Sequence, residues 1–102
     1  MKITRRSKLE RLIDILRVVN IGPIRQTHIM YKANITWNEL RKDISWLRSL
    51  GLIKKKRMRE GVFYEITSSG LETLSFFEII ESKLNLKYGK LPEIQYPSPY
   101  VR

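Results

Sequence analysis

Thr36-Trp37-Asn38-Glu39-Leu40-Arg41-Lys42-Asp43-Ile44-Ser45-Trp46-Leu47-Arg48-Ser49-Leu50-Gly51 runs straight into Leu52-Ile53-Lys54-Lys55-Lys56-Arg57. Its first four residues have the form of a capping box: the Thr36 hydroxyl accepts from the amide of residue 39, and Glu39 reaches back to the Thr36 amide. The helix so started, predicted over Trp37 to Leu50, carries Trp37, Leu40, Ile44 and Leu47 on one side. Asn38, Lys42, Ser45 and Ser49 lie on the other, flanked by Arg41 and Trp46. Gly51 stops the helix and a run of four cations follows. A helix with a polar, cationic outer face, preceded by a helix and a tight turn, suits a duplex major groove.

Upstream, Arg25 to Lys32 reads as a short helix with Ile29 and Met30 as inward anchors, and Ala33-Asn34-Ile35 as the turn. Ile35 and Leu40 have the spacing of a hydrophobic staple around the Thr36 cap. Before it, Ser7-Lys8-Leu9-Glu10 is a second capping box, and Leu9, Leu12, Ile13, Leu16 and Val19 recur on one helical face until Gly22-Pro23 ends it. Downstream, Leu52-Ile53 with the basic run forms one strand and Val62 to Ile66 another, joined by Arg59-Glu60-Gly61. Thr67 caps a last helix expected from about Ser68 to Leu86, and Pro92, Pro97 and Pro99 mark an extended or disordered tail. The expected fold class is therefore mainly α with a small β-hairpin (α+β), a winged helix-turn-helix with a C-terminal helix. The domain would occupy residues 1–88 and the tail residues 89–102.

The charge is unevenly placed. Of 20 Lys/Arg and 10 Asp/Glu in 102 residues, residues 1–59 hold 16 and 4, and residues 60–102 hold 4 and 6. Such asymmetry points to a polyanionic partner for the first half, with a solvated basic surface as the plain alternative. The chain has no Cys and one His, His28, which argues against disulfides and a zinc site. No cofactor and no small-molecule ligand are expected. Apolar positions near the N-terminus are periodic and interrupted by charge, unlike a signal peptide or membrane span, so the expected location is cytoplasmic and nucleoid-associated. No set of groups that His28 could complete resembles a catalytic constellation, and no Gly-rich phosphate loop is present, so catalysis is not expected.

Candidate contacts to double-stranded DNA follow from position. In the third helix they are Thr36, Asn38, Arg41, Lys42, Ser45 and Ser49: Asn38 matches an adenine edge, and Arg41 or Lys42 matches guanine acceptors or phosphate. Arg25 and Gln26 open the second helix, whose start points at backbone phosphates in this motif. In the hairpin they are Lys55, Arg57 and Arg59. Strand alternation sends Lys54 and Lys56 to one face, Lys55 and Arg57 to the other. Ordinary helix surface also accounts for Asn38, Ser45 and His28 taken singly. Trp46 fits a sugar-phosphate contact, a dimer contact or a core position equally well, whereas Trp37 is expected in the core.

The last helix has more apolar surface than one partner can cover. Leu71, Leu74, Phe77, Ile80 and Leu84 span an arc for the core, while Phe76 and Ile79 fall outside it. A two-fold homodimer through Phe76, Phe77, Ile79, Ile80 and Leu84 is one solution. A tail folded back with Tyr96 and Tyr100 is another.

The order helix, helix, helix, hairpin, helix resembles small archaeal winged-helix DNA-binding proteins, which include transcriptional regulators and chromatin-type proteins. The segments that carry the resemblance are Ser7 to Glu10, Thr27 to Ile35, Leu50 to Ile53, Tyr64 to Thr67 and Gly70 to Glu72. It implies regulatory or sequence-nonspecific duplex binding, and dimers through a C-terminal helix. The chain departs where Gly89 and Pro92 cut that helix short, unlike the long coiled-coil helix of chromatin-type relatives. A protein-docking winged helix or a double-stranded RNA binder are the competing uses.

Overall fold

A computed structural model of the chain describes residues 6–84. Along them run α1 (Lys8–Val19), α2 (Gln26–Ala33), α3 (Trp37–Ser49), β1 (Ile53–Met58), β2 (Gly61–Ile66) and α4 (Ser68–Lys83). The expected end of α4 at Leu86, the Pro-rich tail and its tyrosines lie outside the described residues.

Each of α1, α3 and α4 begins where a short polar side chain can serve its unpaired amides. Ser7 and Glu10 form the complete reciprocal box on α1, the Ser7 amide donating to Glu10 Oε1 at 2.8 Å. At α3 only half of the expected box forms. The Glu39 amide donates to Thr36 Oγ1 at 3.3 Å, but the Glu39 carboxylate accepts from the Thr36 hydroxyl rather than from its amide. That carboxylate is also 3.9 Å from Arg11 Nη1, which draws it away from the backbone.

The turn between α2 and α3 is built by Asn34, which takes the left-handed conformation (φ 56°, ψ 57°). Its amide donates to the Tyr31 carbonyl and that of Ile35 to the Met30 carbonyl, which closes α2 as a Schellman motif. Gly51 (φ 75°) ends α3 in the same way, with the Leu52 amide bonded to the Leu47 carbonyl at 3.0 Å. Both turns lead without slack into the next element, so the angle between neighbouring elements is fixed locally.

β1 and β2 pair antiparallel from Ile53↔Ile66 to Met58↔Gly61, leaving Arg59-Glu60 as a two-residue loop. Ile24 adds a single bridge to Tyr64, through bonds of 3.0 and 2.8 Å, on the other side of β2. The core lies between these parts: Ile15, Leu16 and Val19 of α1, Ile29 of α2, Leu40 and Leu47 of α3, Ile53 and Tyr64 of the hairpin, and Leu74 of α4.

Leu9, Trp37 and Leu71, all expected in the core, are exposed, as are Ile80 and Leu84 of the expected core arc. Leu9 lies one turn before the buried part of α1, whose inward face centres on Leu12, Ile15, Leu16 and Val19. Trp37, 43% exposed, is the first residue of α3 and stands beyond the end of the Leu40–Ile44–Leu47 stripe. Leu71 is exposed because α4 packs through Gly70, Leu74 and Phe77 instead.

Ion pairs tie the helices together. Arg11 of α1 grips Asp43 of α3 with two bonds (2.7 and 3.1 Å), and Asp43 is 1% exposed. The pair raises the Arg11 pKa above its ordinary value, chiefly through the Asp43 hydrogen bond, with burial opposing. Arg17 of α1 meets Glu78 and Glu81 of α4 at 3.4 and 2.9 Å. Arg6 reaches Asp14 at 2.6 Å and the Asn34 carbonyl at 2.5 Å. Among the described residues no helix is long and apolar enough to cross a membrane.

Candidate nucleic-acid interface

α3 turns Leu40, Ile44 and Leu47 into the core, so the opposite side of the helix faces water along its whole length. Asn38, Arg41, Lys42, Ser45 and Ser49 are all exposed there and line one shallow concavity together with Trp46. A second shallow groove continues from Ser45 and Ser49 past Arg48 to Ile53, Lys54 and Lys55 of β1. The two share their serines, so α3 and the hairpin present one unbroken surface. Arg48 is a candidate that sequence reasoning misses. Four residues after Ile44, it falls beside the inward stripe on a helical wheel, yet it is exposed on the flank toward the hairpin.

The serine and threonine hydroxyls are partly committed. Ser49 Oγ donates to the Trp46 carbonyl at 2.7 Å, leaving its lone pairs to accept. Thr36 uses its hydroxyl as both donor and acceptor in the α3 cap. Its position at the mouth of α3 stands, but its hydrogen-bonding capacity is mostly used.

The cations divide into engaged and available groups. In the hairpin, Lys54 and Lys56 share the Glu65 carboxylate at 3.5 and 3.9 Å, on one face of the ribbon. Lys55 and Arg57 lie on the other face, opposite Tyr64 and Val62, and both are exposed. Neither they nor Arg41, Lys42, Arg48 and Arg59 have an acidic partner within 4.0 Å among the described residues. By contrast Arg6, Arg11 and Arg17 serve internal ion pairs; Asp14 and Asp43 already count against the basic excess of the first half, so of the three only Arg17, held by Glu78 and Glu81, lowers it further.

Arg25 does not point out alone as its sequence position suggests. Its guanidinium donates to the Glu60 carbonyl at the hairpin tip (2.7 Å) and lies 5.2 Å from the Phe63 ring centroid. Arg25 therefore joins the start of α2 to the hairpin. Gln26 beside it is half-buried as the first residue of α2, and His28 is exposed.

On α4, the side remote from Leu74 carries Phe76, Ile79 and Ile80, 61%, 54% and 51% exposed, with exposed Leu84 at the helix end. Ile80 and Leu84, expected partly under the core arc, thus join the outer stripe. Phe77 goes the other way: it packs against the core, with Arg17 over its ring at 5.8 Å.

Comparison with known proteins fits this geometry. A family model described as winged helix-turn-helix matches residues 5–85. An uncharacterised protein of Methanocaldococcus jannaschii is 36% identical over 83 residues, spanning 78% of this chain and 81% of the relative. Among solved structures, the DNA-binding protein Sso10a-2 of Sulfolobus solfataricus superposes with a TM-score of 0.64 at 26% identity, covering 78% of this chain and 86% of that one. The homodimeric winged helix-turn-helix DNA-binding domain of Mb0332 from Mycobacterium bovis superposes at 0.62 with 16% identity, over 72% of this chain and 68% of that one.

Proposed function

The chain belongs to the winged helix-turn-helix family, and from that membership we propose that it binds double-stranded DNA as a homodimer and regulates transcription. α3 enters the major groove, and the hairpin runs along the adjoining backbone. The observation that carries this reading is the continuous outward surface of α3 and β1, where Asn38, Arg41, Lys42, Arg48, Lys55 and Arg57 stand exposed without acidic partners among the described residues. A major groove about 12 Å wide accepts one helix, and its floor offers the acceptors and donors that Asn, Lys and Arg match. Similarity to Sso10a-2, a DNA-binding protein, supports the partner, and the homodimeric state of the Mb0332 domain supports the assembly. The exposed Phe76–Ile79–Ile80 stripe supplies the apolar surface such a dimer needs. The proposed role is binding, not catalysis, inside the cell where its DNA lies.

Titration of one selected and one random duplex, each at two salt concentrations, tests the reading. A regulator shows a specificity ratio in the range of roughly 10³ or more, and a ratio near one identifies a low-specificity architectural protein instead. Asn38→Ala and Lys42→Ala should weaken the selected site more than random DNA, by roughly 1–3 kcal/mol where a base edge goes unread. Arg57→Ala should weaken both alike and make the salt dependence shallower by about one phosphate. Equal losses for all three variants would refute the assigned roles.

A further inference from the structure

Trp46 sits on the flank of α3 that faces away from the hairpin. At 3.6 residues per turn it lies roughly 80° round the axis from Asn38, and Arg48 about as far round the other way, toward β1. The indole is 40% exposed and shares a concavity with Asn38, Lys42 and Ser45. Over its face, 3.6 Å from the ring centroid, stands the Lys8 ammonium. Lys8 is the first residue of α1, where the helix dipole disfavours a cation. It is exposed and has no acidic partner within 4.0 Å among the described residues. Helix stability therefore accounts for neither the half-bare indole nor the cation placed on it.

A helix seated in a major groove lies between two sugar-phosphate walls. The hairpin and Arg48 serve the wall on one flank of α3, and Lys8 with Trp46 stands at the other. We infer that Lys8 and Trp46 form a second backbone-contact point, in which the indole packs on a deoxyribose and the ammonium meets the neighbouring phosphate. In the free protein the ring holds the Lys8 charge at the rim of the concavity, beside the cations of α3. Sugar and phosphate are the same at every base pair, so this contact adds affinity and fixes the seating of α3 without reading sequence.

The inference rests on the duplex-binding role of α3, and one experiment separates the two. Anisotropy titrations of a fluorescein-labelled duplex of arbitrary sequence are run over a series of salt concentrations with the full chain and its Lys8→Ala, Trp46→Ala and Trp46→Phe variants. Lys8→Ala should bind several-fold more weakly at low salt, with the log–log salt slope shallower by about 0.9 for each phosphate left without its cation. Trp46→Ala should also weaken binding, and Trp46→Phe should recover most of it. If the unaltered protein binds but either alanine variant keeps its full affinity, the second contact point is overturned and the α3 reading stands. A Lys8→Ala loss with an unchanged slope overturns it too, because the lysine would then act through the fold. Failure of the unaltered protein to bind any duplex in dilute salt overturns both.

Discussion

Asp43 is the residue on which the placement of the groove-facing helix depends most. It is buried on α3, and both its oxygens are held by Arg11 of α1. Removing one partner of such a pair leaves the other charge poorly solvated. Asp43→Ala should therefore cost roughly 3 kcal/mol, seen as a fall in Tm on the order of 15 °C in thermal melts followed by circular dichroism. Because pairing raises the Arg11 pKa, the arginine's share of this stabilisation is full just below its ordinary value and is lost as pH climbs through the raised one. Helical spacing sets Asp43 among Leu40, Ile44 and Leu47 on the inward side, but nothing in the sequence names its partner, which lies 32 positions away. Arg25 shows the opposite case, since its position is legible and its partner is not. Held by the Glu60 carbonyl and the Phe63 ring, its planar guanidinium braces the hairpin tip. Arg25→Lys keeps the charge but not the plane, and should weaken duplex binding in anisotropy titrations nearly as much as Arg25→Ala.

At the level of elements, local chemistry is the most legible. Ser7-Lys8-Leu9-Glu10 folds as the capping box its spacing describes, and Ala33-Asn34-Ile35 turns where expected. The Thr36 box forms only in part because Glu39 is shared with Arg11, a tertiary neighbour that spacing cannot reveal. Trp37 is misplaced by its periodicity because a helical wheel has no ends, whereas the packed core does. The junction of α4 with the strand region shows how close the elements stand. Thr67 donates its hydroxyl to the Gly51 carbonyl at 2.6 Å and its amide to the Leu52 carbonyl at 3.0 Å. A Cβ on Gly70 would sit 2.0 Å from that Leu52 oxygen, which is backbone and cannot step aside. Gly70→Ala should destabilise by about 1–3 kcal/mol despite its better helix propensity, measurable as a lower urea midpoint. Asn34→Val should also destabilise, since a β-branched residue resists the left-handed conformation, while Asn34→Gly should be tolerated.

For the whole molecule, the sequence shows that α4 carries too much apolar surface for one core, but not how it is oriented. Core packing uses Gly70, Leu74 and Phe77, which leaves Phe76, Ile79 and Ile80 outward as one stripe. Ile79→Glu should shift the proposed dimer toward monomer in sedimentation equilibrium while leaving Tm of the monomer fold little changed, because the side chain is exposed. The charge imbalance likewise has the sign that composition suggests but overstates the free amount, since Arg17 is held by Glu78 and Glu81, and Lys54 and Lys56 by Glu65, all acids of the second half. The hairpin carries this division of charge to its most local form: Glu65 quiets Lys54 and Lys56, while Lys55 and Arg57 keep their full charge on the reverse side. The ribbon thus has a keel and a deck. Glu65 sets one charge against the two of Lys54 and Lys56, so a nucleic-acid strand beside the ribbon is attracted more strongly to the Lys55–Arg57 side, and each protomer would favour one heading on its half-site. Chemical cleavage patterns around each half-site would then be lopsided, and would point the same way at every site the protein occupies.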